Sequence, residues 1–183
     1  TMEEYGNYYA WGEIEVSNSY TKENYKYYEG IYTDEWGTYD IYTTLDDISG
    51  KADYDVATAT WGEGWRMPTI TEFKELFDNC TMYPVKTEGQ VNGYMCVSKI
   101  NGNHIFFPAA GYKDDYIYEH GHSDYYYHGT HGYYWSSTPA HYYSGAQAFY
   151  FDKFYTSGGE VVQYNSERWY GFTVRAVRDV TNN

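Results

Sequence analysis

Histidine, carboxylate and thiol groups are the side chains whose grouping in this chain suggests reaction chemistry. Five of the six histidines fall between His120 and His141. His120 and His122 are two residues apart, which puts both on one face of a strand, and His128 and His131 follow. Imidazoles grouped this way are candidate ligands for zinc or another transition metal. A structural site needs four placed ligands, though, and these stand in a glycine-rich stretch, so no metal is expected and the imidazoles are read as contact groups. Asp114 and Asp115 are adjacent carboxylates, but adjacent acids on a loop point apart as readily as together, a poor basis for a general acid/base pair. The sequence has no Gly-x-Ser-x-Gly elbow, Walker loop or His-Glu-x-x-His motif. Cys80 and Cys96 stand outside any zinc-like cluster and are read as buried free thiols, with their pairing left open. The expectation is a protein without catalysis and without a cofactor.

Recognition is the chemistry that remains. The chain has 27 tyrosines in 183 residues. Tyr116, Tyr118, His120, His122, Asp124, Tyr125, Tyr126, Tyr127 and His128 follow one another with almost no aliphatic residue between them. A core is not built that way, because Tyr and His tips need water or a partner. Tyrosine gives large contact area at low entropy cost, which is why binding surfaces use it.

Several elements are required to position these groups. Ile105-Phe106-Phe107-Pro108 reads as a short buried strand, and Gly132-Tyr133-Tyr134-Trp135-Ser136 as an aromatic one. Asn101-Gly102-Asn103 between two apolar runs signals a hairpin joining Val91–Val97 to Ile105–Pro108. Further strands are predicted at 146–151, 159–163 and 172–177. Along Ala146–Asp152, alternation places Gln147, Phe149 and Phe151 toward a core, and Ala148, Tyr150 and Asp152 toward solvent beside Tyr133, the pattern of a sheet with one wet face. Residues 52–60 are predicted as a first helix, with Val56 and Thr60 on one face. Thr69–Cys80 is predicted as a second: Thr69 and Glu72 form a capping box, and Phe73, Leu76, Phe77 and Cys80 make one apolar stripe. Between them, Trp65 and Met67 are expected to bury at a turn, with Arg66 bonding carbonyls or a carboxylate. Val16–Gly50 has no sustained period and reads as long loops with one or two short strands.

The length predicts one domain with a real core. The net charge is −14, and half of the 26 acidic residues precede Ala57. Phosphate binding needs Lys/Arg patches, so a nucleic-acid partner is excluded and the acidity is read as serving solubility. No long apolar run or signal peptide is visible, so no membrane insertion is expected; a leader has been removed, export takes another route, or the protein travels on a particle.

Four motifs, Trp61–Thr69 (WGEGWRMPT), Ile105–Tyr112 (IFFPAAGY), Gly132–Thr138 (GYYWSST) and Gly171–Arg178 (GFTVRAVR), together with Tyr5–Glu13 (YGNYYAWGE), resemble the Fibrobacter succinogenes major paralogous domain. That group is common in Bacteroidetes and their phages and includes variable proteins of diversity-generating retroelements. The resemblance implies an α+β, C-type-lectin-like fold: two helices packed on a small twisted antiparallel sheet with long irregular loops. It covers about Tyr5 to Arg178 and lacks the family's first strand. It further implies a location facing the outside, on a bacterial surface or a phage particle, and a variable ligand-binding half over residues 112–178.

In those relatives varied positions hold Asn, Tyr, Ser, Asp, His, Gly or Ala. That palette fits Tyr133, His141, Tyr142, Tyr143, Ser144, Ala148, Tyr150, Asp152, Tyr164, Asn165, Ser166 and Tyr170. Trp169 and Gln147 do not fit it. The candidate contact set adds Tyr116, Tyr118, Tyr125, Tyr127, Tyr155 and Trp169 to these positions, without Ala148. Tyr and Trp169 would act as anchors and the polar residues as adaptable hydrogen-bonding groups toward a protein or glycan on a cell surface. Two rival readings are an oxidase like the formylglycine-generating enzymes, which need C-terminal cysteines that this chain lacks after Cys96, and a structural module of a surface protein.

Overall fold

The computed structural model describes residues 5–115, 127–140, 145–152 and 162–179. β1 (Tyr28–Asp34) and β2 (Gly37–Tyr42) form a hairpin of their own, and β3 (Trp65–Arg66) pairs with β10 (Val177–Arg178). β4 (Cys80–Lys86), β5 (Asn92–Ser98) and β6 (His104–Pro108) make one three-stranded sheet. β7 (His131–Pro139), β8 (Gly145–Asp152) and β9 (Val162–Glu167) make another. All strand pairs are antiparallel. The helices among the described residues are α1 (Val56–Trp61) and α2 (Ile70–Asp78).

This corrects the expected α+β, C-type-lectin-like architecture. Among the described residues strand makes up 43% and helix 11%, and the strands divide among four small antiparallel sheets instead of forming one sheet under two helices. Two stretches account for much of the extra strand. The first is the β1–β2 hairpin, inside a segment read mainly as loop. The second is β4, which carries Pro84. Proline lacks the ladder donor and is tolerated at a sheet edge, and β4 is the edge strand of its sheet.

Helix starts follow side-chain caps. Thr69 and Glu72 form the full capping box, and α2 sets Phe73 and Phe77 into the core. α1 begins four residues later than predicted because Asp55 is its N-cap, accepting from the amides of Ala57 and Thr58. The other oxygen of the same carboxylate accepts from Gly50 and Met67. One buried side chain thus ties the turn before α1, the helix start and the segment after β3. Met67 is buried and Trp65 only partly so. Arg66 holds Glu72 through both terminal nitrogens and Asp179 through Nε.

The β7–β8–β9 sheet is covered on both faces, which corrects the expectation of one wet face. Tyr133, Trp135, Ala146 and Ala148 pack with Trp11, Ile48, Val56, Met67 and Phe172. Tyr134, Phe149 and Phe151 pack with α2, Tyr94, Cys96 and Phe107. Alternation sorted the strand's two faces correctly, but both are core. The N-terminal segment closes the first layer: Trp11 Nε1 donates to Ser136 O and Trp135 Nε1 to Tyr9 O, each at 2.8 Å. Tyr9 and Phe172 exchange backbone hydrogen bonds. Arg168 is buried over the Trp11 ring and donates to the carbonyls of Gly145 and Thr43. Among the described residues, no helix is long and apolar enough to cross a membrane.

Candidate functional site

Eight of the candidate contact residues, Tyr116, Tyr118, Tyr125, His141, Tyr142, Tyr143, Ser144 and Tyr155, lie outside the described residues, as do His120 and His122. Tyr164 is placed by its backbone in β9, opposite Ala148. The other eight fall into two groups and two outliers.

The first group gathers where β7 begins and β8 ends. Register sets His131 opposite Asp152, and Tyr133 opposite Tyr150. The rings of Tyr133 and Tyr150 stand 4.8 Å apart, and His131 lies 5.7 Å from Tyr150 and 4.0 Å from Tyr127. Tyr150 donates its hydroxyl to Asp152 Oδ2 at 3.3 Å, and His131 Nε2 lies 3.9 Å from the same oxygen. His131 Nδ1 shares a 2.7 Å hydrogen bond with Thr130 Oγ1, so both ring nitrogens face oxygen. Tyr112 closes the group, 4.9 Å from Tyr133 and 5.5 Å from Tyr170. Aromatic pairs at these separations each add about 0.5–1.5 kcal/mol beyond the area they bury. Tyr127 is the exposed member, at 43%, while Tyr133 is only 7% exposed. Tyr133 was expected in solvent and is instead part of the core, because Phe172 packs 5.0 Å from its ring on the face expected to be wet.

The second group is Trp169 and Tyr170, in the turn after β9. Their rings meet edge-to-face at 4.3 Å. Trp169 packs against the cluster of Tyr25, Tyr27 and Tyr42. These two residues line a cleft of about 640 Å³ together with residues of the loop from Ser19 to Asn24. Glu167 lines it too. Burial raises its carboxyl above the usual range, the charge of Asp40 adds to that, and Lys22, Arg168 and Tyr42 oppose it. Asn165 and Ser166 stand apart from both groups. Asn165 is exposed on β9 opposite Gln147, whereas Ser166, expected as a contact, is buried opposite Ala146.

The named contact set omits Tyr112 and the cleft's second wall, and it omits His131 although that residue is among the imidazoles read as contact groups. In the sequence Tyr112 ends the apolar run that begins at Ile105. The period-2 step from His131 to Tyr133 and Trp135 was a usable signal for a shared face. The Ser19–Asn24 wall carried no local signal, because it reaches Trp169 only through tertiary contact.

Among the described residues no group of three or more His, Cys, Asp or Glu side chains is placed to hold a metal ion. Cys80 and Cys96 are free and buried. Burial, reinforced by the neighbouring Cys80 thiol, pushes the Cys96 thiol up to about 12, which suppresses the thiolate that redox or nucleophilic chemistry requires.

Residues 92–177, from the start of β5 to the first residue of β10, match the model of a domain family of unknown function, DUF8237. No curated protein and no solved structure matches the chain.

Proposed function

We propose that this chain is a non-enzymatic recognition protein that binds a protein or glycan through aromatic side chains of its C-terminal half, and that retroelement diversification tunes that surface. The observation that carries this reading is the convergence of Tyr127, Tyr150, Asp152 and Tyr170 with Tyr112 and His131 around the β7–β8 end. Large rings with polar tips, held by one another and by a sheet covered on both faces, form a low-entropy contact surface. The exposed Tyr127 gives it a ready anchor. Cys96 is buried, and that burial raises its thiol and disfavours the thiolate, which argues against the oxidase reading. A cell-surface or particle setting belongs to the same proposal.

The test is to sequence the 3′ end of the gene and its flanking DNA across the source population. Changes concentrated at the codons of Tyr142, Tyr143, Tyr150, Tyr164, Asn165 and Tyr170, beside a near-repeat and a reverse transcriptase, are the expected result. Invariant codons with no repeat would remove diversification and leave a single fixed ligand as the working reading.

A further inference from the structure

The cleft between the Ser19–Asn24 loop and the Trp169–Tyr170 turn combines two walls of opposite character. Its volume, about 640 Å³, is that of a small-molecule site. One wall is aromatic. The indole of Trp169 meets Tyr170 edge-to-face and packs against the Tyr25–Tyr27–Tyr42 cluster while lining the cleft, so it is held in place before any ligand arrives. The rest of the lining carries hydrogen-bonding groups held in two sets. Asn24 Nδ2 donates to Ser19 Oγ at 2.9 Å. Lys22 Nζ meets Asp40 Oδ1 at 2.9 Å, and Tyr28 OH donates to the same oxygen.

We infer that this cleft is a saccharide subsite that takes a neutral or amine-bearing sugar. A sugar ring has an apolar C–H face and a rim of hydroxyls that each donate and accept. The fixed Trp169 ring supplies a platform for the first. The paired ammonium and carboxylate of Lys22 and Asp40, and the amide of Asn24 paired with Ser19, supply donors and acceptors along the same cleft for the second. The lining's charge selects among sugars: Glu23, Asp114 and Glu167 join Asp40 against the single ammonium of Lys22. Uronates, sialylated and sulfated glycans are therefore repelled. A peptide anchored by large apolar side chains is a poorer fit, because only the Trp169–Tyr170 wall offers apolar surface. The inference deepens the ligand-binding reading at Trp169 and Tyr170, rests on it there, and brings in Lys22, Asn24 and Asp40 from the N-terminal half.

The experiment is isothermal titration of the full chain with chitotriose, mannotriose and lactose, with the glucosamine trimer, and with sialyllactose and trigalacturonate as anionic probes. At least one neutral or amine-bearing sugar should bind and neither anionic one should. Trp169→Ala should weaken binding at least about tenfold, the loss typical of an aromatic anchor. Trp169 also supports the tyrosine cluster behind it, so Asn24→Ala and Lys22→Ala, on the surface loop, carry the test separately. Each should weaken binding about threefold or more, the scale of one hydrogen bond, with an unchanged melting temperature. Binding of the anionic probes alone, or of no probe, overturns the inference. Binding that survives all three substitutions but is lost in Tyr127→Ala also overturns it, while leaving recognition at the aromatic end intact.

Discussion

Asp55 is fully buried, and its carboxylate accepts four backbone amides: Ala57 at 2.9 Å and Thr58 at 3.2 Å on one oxygen, Gly50 at 2.8 Å and Met67 at 2.9 Å on the other. Substitution by alanine removes the acceptor from all four donors at once. Hydrogen bonds to a charged group contribute about 1.5–3 kcal/mol each. The simple sum overstates the loss, because the carboxylate's own desolvation is relieved and the α1 amides gain some access to water. Breaking a buried charged network typically costs about 3–5 kcal/mol, and that is the expected loss for Asp55→Ala. Asp55→Asn keeps the shape but only one acceptor oxygen. Whichever way the amide turns, its NH2 faces two N–H donors, so about half the loss, roughly 2 kcal/mol, should remain. Urea unfolding followed by circular dichroism separates the two, with the midpoint shifting at constant slope. Against a total stability of about 5–15 kcal/mol, Asp55→Ala should be marginal or unfolded at 37 °C. If Asp55→Ala loses less than about 1 kcal/mol, the cap of an ordinary surface helix, the argument that this carboxylate ties three segments together is wrong.

Gly132→Ala should cost about 1–3 kcal/mol, the range for overpacking a core. The added Cβ would sit 2.3 Å from two atoms of the Phe151 ring, and that ring is hemmed in by Tyr94 at 4.8 Å; Phe151→Leu in the same chain should recover part of the loss in thermal melts. Arg66 holds the Glu72 carboxyl at about 2, against an ordinary 4.5, so their pairing stabilises the fold fully above about pH 4.5 and is lost as pH falls through about 2. The side chains of Arg66 and Glu72 are 22% and 35% exposed, so solvent screening reduces the effect to about 1 kcal/mol, and Glu72→Gln should flatten the stability–pH curve between those limits by that amount. Cys80 and Cys96 should not react with a thiol reagent in the native protein and both should react in denaturant; fast native labelling of either would mean that the core over α2 opens.

Locally encoded features were legible in the sequence. The capping box at Thr69 and Glu72, the Phe73, Leu76 and Phe77 part of the α2 stripe and the Asn101–Gly102 hairpin are signals within a few residues of what they specify, and they form where expected; Cys80, expected to end that stripe, instead opens β4 because the helix stops at Asp78. The β7 and β8 strands were found for the same reason. Their surroundings were not. Whether Tyr133 and Ala148 face water depends on Trp11 and Phe172, which arrive from opposite ends of the chain. Period-2 alternation states that two faces differ; it does not state that the second is wet. The role of Asp55 was hidden likewise, since two of its four donors, Gly50 and Met67, lie beyond the helix it caps.

That same packing divides the positions that fit the diversification palette. Ala148 has no exposure and packs beside Trp11 and Trp135, so tyrosine there overpacks the layer and aspartate buries an unpaired charge. Ser166 is buried opposite Ala146. Tyr133→Asn strips contacts to Tyr112, Tyr150 and Phe172, a loss of about 3–5 kcal/mol on the scale of large-to-small core changes. Asn165 is exposed, and Tyr150, Asp152 and Tyr170 are half-buried at the rim. A displayed library placing Asn, Tyr, Ser and Asp at each position, sorted by protease resistance, should therefore retain variants at Asn165 and, with moderate losses, at Tyr150, Asp152 and Tyr170. It should be depleted at Ala148, Ser166 and Tyr133. Equal tolerance at Ala148 and Asn165 would refute the two-faced burial of the β7–β8–β9 sheet. Given the expected pattern, natural variation at Tyr150, Asn165 and Tyr170 with Ala148 and Ser166 fixed would mark changes filtered by folding. Variation as frequent at Ala148 as at Asn165 would mean that the natural chain packs this sheet differently.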